Sequence, residues 1–234
     1  MNRNLKISAA LVAVFAAAIG LIALVSGGDE SSATRPTAST TSQSAPAPEA
    51  MTTTERTAVV RERDPRILGR LGRSGVVFTE FLDFECESCR AVFPLVEELR
   101  REYAGRVTFA IRYFPIDSHR NAQNAAVAVE AAARQGALEP MYRRMYETQT
   151  EWGEQTASKA PLFRRFARDF GLDLRAYDAA VADPATLRRV LADRDAGTAL
   201  GVQGTPTLYL DEELLQPETV EDLRAAIDAA LAAT

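Results

Sequence analysis

Histidine, cysteine and lysine are almost missing from this chain. Its 234 residues hold one histidine and two cysteines, and of 27 basic residues only Lys6 and Lys159 are lysine. A structural zinc centre takes four Cys or His ligands, so these side chains alone cannot build one. A disulfide-dense scaffold is excluded too. The arginine excess reads as a coding bias. There is also no basic surplus: the net charge is −5, and residues 57–234 carry 23 bases against 28 acids. A nucleic-acid module normally shows a basic face, so no nucleic-acid partner is expected. What is present is ordinary for a globular protein: 25% charged and 47% hydrophobic residues. Residues 57–234 are enough for one domain with its own core.

The ends differ from the middle. Ile7 to Val25 is an apolar run whose only clearly polar member is Ser8. As a helix it would span roughly 28 Å, close to the thickness of a hydrocarbon core. Arg3 and Lys6 precede it, and Asp29 and Glu30 follow. The positive-inside rule then keeps the amino terminus cytoplasmic and exports the rest. Residues 1–26 are therefore expected to be a single-pass anchor in the cell membrane. A cleaved signal peptide is the competing reading, but the run is long and Val25-Ser26-Gly27 is a poor cleavage site. In 31–50, seventeen of twenty residues are Ser, Thr, Ala or Pro. Such a stretch cannot offset its ordering entropy, so 27–56 is expected to be a flexible linker.

Residues 57–234 read as α/β. Val76 to Phe84 is almost continuously apolar and suits a central strand covered on both faces. Cys86 to Tyr103 turns helical, and Arg106 to Phe114 is a second strand. Strand, helix, strand makes a βαβ unit. Residues 119–200 are Ala- and Arg-rich with helical periodicity, broken at Gly136, Trp152-Gly153, Gly171 and Asp183-Pro184. Four or five inserted helices are expected there. Strand character returns at Thr207–Leu210 and around Asp211 to Leu215, and a last helix opens near Pro217.

The two cysteines form Cys86-Glu87-Ser88-Cys89. Two cysteines placed at random in this length fall three apart only about 1% of the time, and these fall where a strand hands over to a helix. A helix amino terminus favours a thiolate, so Cys86 is expected to be the exposed nucleophile. Cys89, one turn on, is expected to be the more buried resolving thiol. An inert structural pair is the bland alternative, but so short a loop constrains an unfolded chain little.

The stretch Phe78 to Cys89 (FTEFLDFECESC) resembles the active-site strand and helix of the thioredoxin superfamily. The helical block between the two β halves resembles its DsbA-like branch of thiol-disulfide oxidoreductases. Gly204-Thr205-Pro206-Thr207 is similar to that superfamily's cis-proline loop. The resemblance covers about 74–232 and implies a thioredoxin-like fold with an inserted helical subdomain at about 119–200. It further implies a cis Pro206, with Thr205 offering main-chain bonds to substrate. Glu80 matches the superfamily's buried acid, and a carboxyl in an apolar strand can move a proton to or from Cys89. His119, the only histidine, is expected to pack at a helix start, since thiol exchange needs no such base. The residues between the cysteines depart from the family, whose commoner sites carry Pro, or Pro with His or Tyr. Here Glu87, with Asp83 and Glu85 nearby, is expected to oppose the thiolate and weaken the oxidant.

The function so implied is disulfide formation in exported proteins by an extracytoplasmic enzyme, without a cofactor or metal, acting as a monomer. Its partners would be exported thiol proteins and a membrane reoxidant, quinone-linked or of the vitamin K epoxide reductase type. The alternatives are a reductase or isomerase of exported proteins, and a non-catalytic thioredoxin-like binding module or chaperone.

Overall fold

The computed structural model describes Thr52 and residues 64–234. The proposed anchor at 7–25 and the linker segment 31–50 lie outside the described residues. Among the described residues no helix is long and apolar enough to cross a membrane.

Five strands form one sheet: β1 (Arg66–Leu68), β2 (Val77–Leu82), β3 (Thr108–Tyr113), β4 (Thr207–Leu210) and β5 (Glu213–Leu215), in the order β1-β3-β2-β4-β5. β2 and β3 are parallel and the other neighbours antiparallel. Parallel pairing needs a crossover, here helix α1 (Glu87–Glu102). β3 is buried along its whole length and β2 everywhere except Val77, which suits their mostly apolar residues but also buries Glu80 and Arg112. β1 was not anticipated. It is three residues long, too short for a period to register, and is held by pairing Arg66 to Leu68 with Ile111 to Phe109.

The inserted block holds six helices: α2 (Ala122–Ala133), α3 (Leu138–Glu147), α4 (Gln149–Trp152), α5 (Ala160–Asp169), α6 (Leu174–Ala182) and α7 (Pro184–Ala199). The expected count of four or five missed the single turn α4. The break falls at Thr148, whose backbone at φ −109°, ψ 5° leaves the helical region, while its hydroxyl and amide still bond the Arg144 carbonyl. The alanine-rich α2 is apolar around most of its surface and is the block's central helix, packed against α3, α5, α6 and α7. Trp152 meets Phe163 edge-on at 4.9 Å, both fully buried.

α7 returns the chain to the sheet. Asp183 caps it by accepting from Ala185 N at 2.8 Å, and Pro184 takes the first helical position. Gly197 lies so near the Phe81 and Phe114 rings that a Cβ there would stand 2.9 Å from both. Asp193 is buried and accepts from Arg112 at 2.8 Å, Arg189 at 2.8 Å and Tyr113 N at 3.2 Å, tying α7 to β3. The last helix, α8 (Val220–Ala232), opens with a capping box between Thr219 and Asp222.

Candidate active site

β2 ends at Leu82, and a buried loop of Asp83 to Glu85 delivers Cys86 to the N-cap of α1. Both cysteines are free thiols. Cys86 keeps 7% of its surface exposed and Cys89 none. The order of burial is the expected one, but Cys86 is far more enclosed than an exposed nucleophile. Its Sγ donates to the Thr205 carbonyl at 3.3 Å, so the proline loop closes over it. The Thr205–Pro206 peptide bond is cis.

The two sulfurs are driven apart electrostatically. Cys86 is lowered to about 5, chiefly by a hydrogen bond from Cys89. Burial opposes this, while hydrogen bonding from Thr205 and from the Cys89 and Ser88 amides reinforces it. The Thr205 hydroxyl is buried and has no partner beside the protonated thiol, which leaves it as a donor for the thiolate. Cys89 is pushed well above the ordinary thiol range, first by burial, then by its bond to Cys86 and by the charges of Glu80 and Cys86. A vicinal pair so arranged has one sulfur that is a good nucleophile and leaving group and one that holds its proton.

Glu80 lies in β2 between Ile111 of β3 and Leu208 of β4. It is 1% exposed, and neither carboxyl oxygen has a hydrogen-bond partner. Burial, aided by the charges of Cys86 and Glu97, pushes it up to about 8. A carboxyl so raised lies within electrostatic range of Cys89.

The loop acids behave otherwise. Asp83 accepts from Glu85 N at 2.8 Å and Ile116 N at 2.9 Å, and it meets His119 Nδ1 at 2.8 Å. Glu85 accepts from Asn121 N and, at 2.9 Å, from Glu154 N. Both carboxylates thus also fix main chain, a role beyond the nearby charge expected of them, and of the three acids only Glu87 is exposed. His119 also needs correction. It does not merely pack at a helix start, where Asn121 is the N-cap of α2. Its ring binds Asp83. Burial works against its charge, but the Asp83 bond and the charges of Asp83, Cys86 and Glu85 raise it above the usual histidine value.

Gln149 was missed altogether. Its Nε2 donates to the carbonyls of Phe84 at 2.7 Å and Cys86 at 2.9 Å, and its Oε1 accepts from Arg90 Nε at 3.1 Å. A glutamine on a one-turn helix, 63 residues from Cys86, gives no signal in a single sequence. Tyr142 and Tyr146 were missed as well; with Phe84 and Phe93 they form the aromatic wall beside the pair. Among the described residues no cluster of three side chains suits a metal ion. A cavity of about 320 Å³ lies around the last turns of α1, lined in part by Leu68, Phe109, Arg100 and Arg143, away from the cysteines.

Residues 67–229 match the family model described as thioredoxin. Among curated proteins, the chain is 36% identical over 159 residues to a sodium/proton antiporter, NhaA 3, of Salinispora tropica, covering 67% of this chain and 23% of that protein. It is 30% identical over 141 residues to NhaA 1 of Mycolicibacterium vanbaalenii, covering 58% and 22%. The chain thus spans about a quarter of the length of these relatives. Three solved structures share its fold. The thiol-disulfide exchange protein alpha-DsbA2 of Wolbachia pipientis aligns with a TM-score of 0.62 at 20% identity, over 75% of this chain and 92% of that one. Oxidised BdbD of Bacillus subtilis gives 0.63 at 18%, over 72% and 93%. The catalytic domain of Proteus mirabilis ScsC gives 0.60 at 19%, over 76% and 96%.

Proposed function

The chain belongs to the thioredoxin family, and from that premise we propose that it is an extracytoplasmic thiol-disulfide oxidoreductase that forms disulfides in exported proteins. The observation that carries this is the divided pair itself: Cys86 is held low at about 5 while its neighbour Cys89 is held high. A low-pKa sulfur stabilises the dithiol relative to the disulfide, and a stable reduced form makes a strong oxidant.

In the oxidised protein Cys86 and Cys89 are joined. A substrate thiolate attacks the Cys86 sulfur, the S–S bond breaks, and Cys89 leaves as a thiolate. The Glu80 carboxyl gives it a proton. A second substrate thiolate then attacks the substrate sulfur of the mixed disulfide. Cys86 leaves as a thiolate that its hydrogen-bond donors stabilise. The substrate has lost two electrons to form a disulfide, and the protein has gained them as a dithiol. Thr205 and Pro206 would flank the incoming chain, as their place beside Cys86 allows. Reoxidation would pass the electrons to a membrane partner, quinone-linked or of the vitamin K epoxide reductase type, and the apolar run at 7–25 would keep the domain beside it.

The test is turnover of a reduced, unfolded disulfide protein by the oxidised full-length chain under a glutathione buffer. Rapid oxidation, with Cys89→Ser trapping mixed disulfides and Cys86→Ser trapping none, is the expected result. Net reduction of the same substrate's disulfides under that buffer would reverse the direction, and no exchange at all would leave the pair as an inert feature of the fold.

A further inference from the structure

We propose that Gln149, from the helical insertion, is a positioning residue that aligns Cys86 for thiol exchange. The proposal rests on the thiol-disulfide reading above and names a residue outside the cysteine and proline loops. Gln149 is 3% exposed. An amide side chain has two donor hydrogens and one acceptor oxygen, and here all three groups are used. Both hydrogens go to the carbonyls that bracket Glu85, those of Phe84 and Cys86, at 2.7 and 2.9 Å. The oxygen takes the Arg90 Nε proton at 3.1 Å. Arginine only donates and carbonyls only accept, so the orientation of the amide is fixed by its surroundings.

The Cys86 carbonyl is therefore held from two sides. Arg90 N reaches it at 3.1 Å as a helical bond, and Gln149 reaches it from the insertion. A pinned carbonyl fixes the plane of the Cys86–Glu87 peptide at the point where the chain enters α1. That keeps Cys86 at its extended φ −70°, ψ 123°, with Sγ beside Thr205 and the first-turn amides. The grip is reciprocal. Glu154 N, five residues beyond Gln149, donates back to the Glu85 carboxylate at 2.9 Å. Segment 149–154 thus grasps the loop by its carbonyls and is grasped by its carboxylate. Gln149 does this without adding charge near the sulfur, which suits alignment of a thiolate by dipoles alone.

The experiment compares the full-length chain with Gln149→Met, which keeps the length of the side chain and removes its hydrogen bonds. The control is Trp152→Phe, which removes the 3.3 Å bond from Trp152 Nε1 to the Met145 carbonyl in the same short helix and touches no active-site main chain. Each protein is read by ultraviolet thiolate titration, glutathione equilibrium and unfolding midpoint. Gln149→Met is expected to raise the Cys86 titration midpoint by about one unit, and so to cut the glutathione equilibrium constant up to about tenfold. Trp152→Phe is expected to lower the unfolding midpoint with the titration unmoved. The proposal is overturned if Gln149→Met leaves the Cys86 midpoint where it was, or if Trp152→Phe shifts it equally, since Gln149 would then only pack. If Gln149→Met does not fold, Gln149→Asn replaces it; one methylene shorter, it cannot span both carbonyls, and it carries the same expectation at smaller size and the same overturning result. A chain that exchanges no disulfide with glutathione, but still shows the Gln149-dependent titration, would sink the oxidoreductase reading and leave the positioning role standing.

Discussion

Glu80 in β2 and the acids Asp83 and Glu85 in the loop that follows lie within six residues, all of them at 2% exposure or less, and they are built on opposite plans. Each loop carboxylate takes two main-chain amides. The strand carboxyl has no partner on either oxygen. Burial alone therefore does not decide what an acid does. Burial raises Asp83 as it raises Glu80, but the donors around Asp83 work against that rise and fasten main chain, while no donor offsets burial at Glu80.

The largest effect is expected at the sulfur that both regions serve. Cys86→Ser should abolish exchange entirely, whereas Cys89→Ser, which cannot form the pair's own disulfide, should accumulate mixed disulfides as its Cys86 thiolate attacks substrate disulfides and no second thiol resolves them. Non-reducing gels of exported proteins check this; equal trapping by both variants would contradict the assignment.

Glu85→Ala and Glu80→Gln set the two plans against each other. Glu85→Ala strips the acceptor from the Asn121 and Glu154 amides. At about 1–3 kcal/mol for each of the two orphaned amides, it should destabilise the fold by roughly 2–6 kcal/mol. Glu80→Gln should do the reverse above neutrality. With a folded value raised to about 8, Glu80 contributes its full stability below the unfolded carboxyl range and loses it as pH rises through about 8. Removing the charge spares that loss, a gain on the order of a few kcal/mol at pH about 9 and little at pH about 4. Urea unfolding at both pH values reads this; destabilisation by Glu80→Gln at the higher pH would show that it has partners after all. The same variant should slow release of Cys89 from the disulfide by about 100-fold near neutrality, measured by stopped-flow exchange with a model thiol.

The smallest effect belongs to Glu87, the exposed acid. Glu87→Gln should lower the Cys86 midpoint by no more than about half a pKa unit, and less in high salt. A larger drop would mean that charge, not hydrogen bonding, sets the thiol.

Much of this was legible before any coordinates. β2, α1 and β3 announce themselves because a strand buried on both faces is mostly apolar, and the cysteine spacing falls at their junction. The capping box of α8 and the Asp183–Pro184 start of α7 are local chemistry, readable where they occur. The illegible parts are those fixed across long separations. β1 exists only by pairing with β3, and α4 is set off by a single non-helical residue, Thr148. Asp83 and Glu85 read as charges because nothing in the sequence tells where Ile116, Asn121 and Glu154 will bring their amides. His119 hides for the same reason: its partner is 36 residues away.

The most direct measurement is the thiolate titration of Cys86 in the reduced full-length chain, followed by ultraviolet absorbance and repeated on Cys86→Ser. Because its folded value lies below the unfolded one, the Cys86 thiolate also adds stability to the reduced form as pH rises from about 5 toward the ordinary thiol range, and loses it as pH falls through about 5. A single transition with its midpoint near 5, missing from Cys86→Ser and leaving Cys89 protonated into alkali, is the predicted result. A midpoint at the ordinary thiol value of about 8.5 would contradict the claim that this loop holds Cys86 as a thiolate.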